Sequence, residues 1–129
     1  MTKILITGLV TIHLAASLWH GSAHTQLAIA LPPGKNAFVY VVILIAPIVA
    51  AGLVWTRYIS IGLWVFFLSM LGALLFGAYH HYIAISPDHV AHLPAGNLQG
   101  LFRVTAVLLV VSEAAGSVVG VWGMMRAAR

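Results

Sequence analysis

Seven histidines and two carboxylates carry nearly all the side-chain chemistry of this chain. His80, His81, His89 and His92 crowd with Asp88 into residues 77–92, GAYHHYIAISPDHVAH, just where a long apolar run gives out. His13, His20 and His24 lie near the N-terminus, and Glu113 stands alone in the last apolar run. Imidazole-rich, carboxylate-poor residue sets suit transition metals such as copper, zinc and iron rather than calcium or magnesium. With no cysteine in the chain, disulfides and thiolate ligands are excluded.

Spacing brings these groups together. At about 100° per residue, His20 lies about 20° behind His13 on a helix and His24 about 20° ahead, so the three share one stripe with Ser17 beside them. Adjacent residues diverge by about 100°, so at most one of His80 and His81 points the same way. His89 and His92, at i and i+3, share a face of a helical turn that Pro87 and Asp88 are suited to start. Asp88 either caps that turn or orients a histidine ring.

In the last apolar run Gln99, Ala106, Glu113 and Gly120 recur every seven residues, with a GxxxG step at Gly116 and Gly120 that permits close helix contact. Glu113 and His13 fall at similar depth on their helices, and pairing them satisfies both. The expected site is therefore layered. His20, His24, His80, His81, His89 and His92 are candidate metal ligands at one end, with Asp88, Tyr79 and Arg103 in support. Below them, His13 and Glu113 form a proton relay or a deep site.

Two other readings use the same residues. A b-type haem takes one axial histidine from each of two helices. His20 or His24 with His80 or His81 meets that need, Gly21 and Gly77 leave room for the ring, and Arg103 can meet a propionate. Alternatively the histidines sit at a membrane interface and hydrogen-bond locally, and the chain is an accessory subunit of a larger membrane complex. The metal reading leads because it employs most of the histidines. It implies redox or oxygen chemistry, as in a metal-dependent membrane oxidoreductase, or metal handling. No HExxH signature is present, and the residues alone do not decide whether the chain is an enzyme.

The elements that must position these groups are apolar. Of the 129 residues 62% are hydrophobic and only 6% charged, too few charges for a water-facing surface. Runs of about 20 apolar residues cross a bilayer core, and four segments qualify: about 4–30, 37–55, 59–85 and 98–125. Pro32, Pro33 and Gly34 end the first, Pro47 kinks the second, and Ser86-Pro87 stops the third. The expectation is an all-α integral membrane protein, a single transmembrane domain over 1–129. It forms a four-helix bundle with a short helical turn in the third loop.

Lys3 before an apolar run has the look of a signal peptide, but without a clear cleavage site the segment reads as a retained helix. The six Lys and Arg residues are scattered at helix ends rather than clustered as nucleic-acid binders require. Lys3, Arg57, Arg126 and Arg129 fall on one side, Lys35 and Arg103 on the other. That bias predicts an inner (plasma) membrane protein with both termini cytoplasmic and the histidines facing outward. The lipid bilayer is the expected surrounding, and a bundle this small is expected to form homo-oligomers or join a larger complex.

Overall fold

The structure, a computed structural model, describes residues 1–128; Arg129 lies outside the described residues. It is all-helical, with four helices long and apolar enough to cross a membrane: α1 (Thr2–Gln26), α2 (Pro33–Leu53), α3 (Ile59–Ile83) and α4 (Gln99–Ala127). The Thr2 methyl lies against Gly123, and Trp55 Nε1 donates to Thr7 Oγ1 at 3.0 Å. Both ends of the chain and the α2–α3 connection therefore share one end of the bundle. The α1–α2 and α3–α4 connections meet at the other.

Polarity is inverted relative to a water-soluble bundle. His13, His20, His81, Thr105, Ser112 and Glu113 are buried, while Ile12, Leu18, Ile48, Leu68, Leu75, Val111 and Val118 face outward. An apolar exterior around a polar interior is the arrangement a hydrocarbon surrounding selects, because a polar side chain there is costly and turns inward.

Glycines set how closely α3 and α4 approach. A β-carbon at Gly120 would come within 2.9 Å of Phe67 Cβ and 3.1 Å of its Cα, and one at Gly116 within 2.7 Å of Met70. The GxxxG step is thus used within the chain, against α3. Phe66, Met70 and Leu63 pack beside it with Ile6 and Val54 to form the apolar core nearer the termini.

Two helices carry wide turns. Residues Val39–Ile45 of α2 and Tyr79–Ile83 of α3 are π-helical, a form that concentrates at functional sites. The first lies just before Pro47, which cannot donate to the carbonyl four residues earlier, that of Ile43. α1 ends in a paired-bond cap: Ala28 N–H donates to Thr25 O and Ile29 N–H to His24 O, with Ala28 left-handed at φ 53°. That conformation is normally taken by glycine.

The α3–α4 connection makes two successive turns, closed by His89 N–H to Ser86 O at 3.0 Å and His92 N–H to His89 O at 2.8 Å. Arg103 Nε donates to Val90 O at 3.0 Å and Gln99 Nε2 to Pro94 O at 2.8 Å, so α4 ties this connection down. Val90 N–H donates to His81 O at 3.0 Å, which folds the segment back over α3 and brings Asp88 inward.

Candidate metal centre

His20 and His24 from α1, His81 from α3 and Asp88 from the α3–α4 connection each present one ligand atom, all within 4.8 Å of one another. His20, His81 and Asp88 are buried and His24 is half-buried. Phe102 of α4, fully buried, is their apolar wall, its ring centroid 4.4 Å from that of His20, 5.1 Å from His24 and 5.3 Å from His81.

Hydrogen bonding decides which ring nitrogens are free. His81 Nδ1 lies 3.0 Å from the backbone oxygen of Asp88, which only accepts, so Nδ1 carries the proton. His24 Nδ1 faces Ile29 O at 3.5 Å, a long approach with the same consequence. His20 Nδ1 is 2.9 Å from Thr105 Oγ1, whose single hydrogen is directed to the helix carbonyls of Leu101 at 2.7 Å and Phe102 at 3.1 Å. The hydroxyl therefore accepts from His20. In their neutral forms the three rings leave the lone pair on Nε2.

Those lone pairs converge. His20 Nε2 and His81 Nε2 are 3.2 Å apart, and His24 Nε2 is 3.1 Å from Asp88 Oδ1. Ligands at about 2.0–2.1 Å from a tetrahedral ion stand roughly 3.3 Å from one another, so both pairs have the separation of a tetrahedron's edge. Asp88 Oδ1 is also 3.3 Å from His81 Nδ1, yet this buried oxygen receives no well-aligned N–H from either ring. Proximity alone is met there, and the directional bond is not. Burial by itself would raise the Asp88 carboxyl; the adjacent His24 and His81 rings, once protonated, more than offset this and hold it below the ordinary carboxylate range.

The remaining candidates lie elsewhere. His80 turns to the other side of α3, its ring 4.5 Å from that of Phe76 and its Nδ1 3.4 Å from Lys35 Nζ. His89 and His92 sit over the connection with their rings 5.0 Å apart, outside the cluster. Tyr79 is exposed beside His80, and Arg103 holds the Val90 carbonyl rather than a ligand of the cluster. Thr105 and Phe102 were not singled out from the sequence. A threonine that bonds its own helix is unremarkable in an apolar run, and a lone phenylalanine reads as packing.

The deeper layer is present as a pair. His13 Nε2 donates to Ile43 O at 3.0 Å, a carbonyl in the wide turns just before Pro47, and His13 Nδ1 stands 3.7 Å from Glu113 Oε1. Both side chains are buried. A cavity of about 500 Å³ is lined by His20, His24, His81, Asp88 and Glu113 together.

Comparison of the chain with protein-family models, curated proteins and solved structures gives no match. Function therefore rests on the site.

Proposed function

We propose that this chain is a membrane protein that binds one divalent transition metal ion through Nε2 of His20, His24 and His81 and Oδ1 of Asp88. The observation that carries this reading is the gathering of one ligand atom from each of His20, His24, His81 and Asp88 within 4.8 Å of one another, with each Nδ1 turned to an oxygen acceptor. Ligating histidines are held in this way, by an outer acceptor that fixes the tautomer and aims the ring.

Imidazole with carboxylate suits zinc, copper or iron, and the two ligand pairs at the spacing of a tetrahedron's edge favour zinc among them. Four protein ligands leave no open coordination position. That supports holding and handing on an ion over redox or oxygen chemistry. A haem is less well served, because His20 and His81 face each other at 3.2 Å with no gap for a ring plane between them. The apolar exterior and the Lys and Arg distribution support a plasma-membrane location, termini in the cytoplasm and the metal site toward the outer face.

Elemental analysis of full-length protein purified in detergent without chelators or nickel resin tests this. One tightly held equivalent is expected, lost in His20→Ala and His81→Ala and kept in His89→Ala. Protein that takes up no zinc, copper or iron on titration would refute the proposal.

A further inference from the structure

Below the outer cluster, His13 and Glu113 leave buried lone pairs with nothing to meet them. His13 commits Nε2–H to the Ile43 carbonyl, so its neutral ring presents the lone pair of Nδ1, and that atom has no hydrogen-bond partner. Glu113 Oε2 is also buried without a partner. Both belong to residues no more than 2% exposed, where an unmet acceptor is costly. Two such acceptors side by side in an apolar interior favour a positive species between them.

The distance suits a bridging ion. His13 Nδ1 and Glu113 Oε1 are 3.7 Å apart, too far for a hydrogen bond. An ion about 2.0–2.2 Å from each spans that gap comfortably, because two such bonds together exceed it. Glu113 also lines the cavity that His20, His24, His81 and Asp88 line from above. The space beside Gly77 touches both layers: a β-carbon there would lie 3.7 Å from Glu113 Oε2 and 3.8 Å from His81 Cδ2.

We propose that His13 Nδ1 and Glu113 form a second, inner station for the same divalent ion, reached from the outer cluster through the shared cavity. This rests on the outer site binding metal. With two protein ligands rather than four, the inner station holds the ion more weakly, water from the cavity completing its coordination. The outer cluster collects the ion and the inner pair receives it, a step deeper along the bundle axis.

Titration of the metal-free full-length protein with Co²⁺ or Zn²⁺ tests this, with bound ion counted by equilibrium dialysis and Co²⁺ also followed by its absorption. Two equivalents are expected, one tight and one weaker. Glu113→Gln and His13→Ala should each lose the weaker equivalent and keep the tight one, whose retention shows that the variant is folded. One tight equivalent with no second, or a second that survives both substitutions, overturns the inner station alone. No bound ion at all overturns both sites.

Discussion

His20 and His81 face each other through Nε2 atoms 3.2 Å apart, although they come from helices α1 and α3, sixty-one positions apart in the chain. With each Nδ1–H already given to an oxygen, no proton remains between the two rings in their neutral forms. A shared cation relieves that opposition, and the first prediction concerns what holds it in place.

Thr105→Val removes the acceptor of the His20 Nδ1–H while keeping side-chain shape. Loss of such an outer partner typically lowers metal affinity 10–100-fold. Competition with a chromogenic chelator should show a drop of roughly that size with little change in helix content. An unchanged affinity would mean that the hydroxyl does not hold the ring.

Asp88 contributes to stability in a pH window set by its lowered carboxyl. A group whose folded pKa is depressed gives a contribution fully present above its unfolded value, about 3.9 for aspartate, and lost as pH falls toward the folded value. Thermal melts of metal-free protein should therefore lose stability on acidification below about pH 4. In Asp88→Asn this part of the acid dependence should flatten. Parallel pH profiles for the two proteins would contradict the assignment.

Gly120→Ala is expected to damage packing more than Gly116→Ala. The added methyl at 120 meets Phe67 at its Cβ and backbone Cα, which cannot yield without moving α3, whereas at 116 it meets Met70 at Cγ, Sδ and Cε, side-chain atoms that can turn away without moving the backbone. Overpacking of the first kind costs about 1–3 kcal/mol. Melting temperatures of the two variants in one detergent would rank them, and the reverse order would count against this account of the α3–α4 contact.

Ala28→Gly should stabilise the end of α1. Left-handed backbone costs a non-glycine residue roughly 1–2 kcal/mol, and glycine's greater freedom in the unfolded chain takes some of that back. A gain of about 1 kcal/mol is expected, with a steadier His24 as a by-product because Ile29 leaves that cap to face its ring. A lower melting temperature would show that the cap is not strained.

The four spans were legible because hydropathy and proline placement mark them directly, and the stripe of His13, His20 and His24 followed from helical geometry alone. Boundaries moved by a few residues: α1 ends at Gln26 rather than near Ala30, and α2 begins at Pro33, where a missing N–H is tolerated. The choice of His81 over His80 was not legible. It lies at the π-turn of Tyr79–Ile83, whose wide hydrogen bonds depend on packing and on the returning Val90 N–H. The outlying places of His89 and His92 follow from the path of a connection held by Arg103 and Gln99, contacts that no periodicity encodes.

Pro47 faces the bundle interior and ligates nothing, yet it closes the turns that offer a carbonyl to a histidine on another helix. The wide turns of Val39–Ile45 end beside it, and the Ile43 carbonyl there accepts from His13 Nε2, which decides which end of that ring is basic toward Glu113. An alanine at this position would restore an N–H at the end of those wide turns, free to compete for their carbonyls and release the ring proton to Nδ1. The inner pair would then be an ordinary donor and acceptor with no vacancy for an ion. Pro47→Ala should lose the weaker equivalent with His13 and Glu113 both intact, a chemical effect written entirely in the backbone of a helix that contributes no ligand.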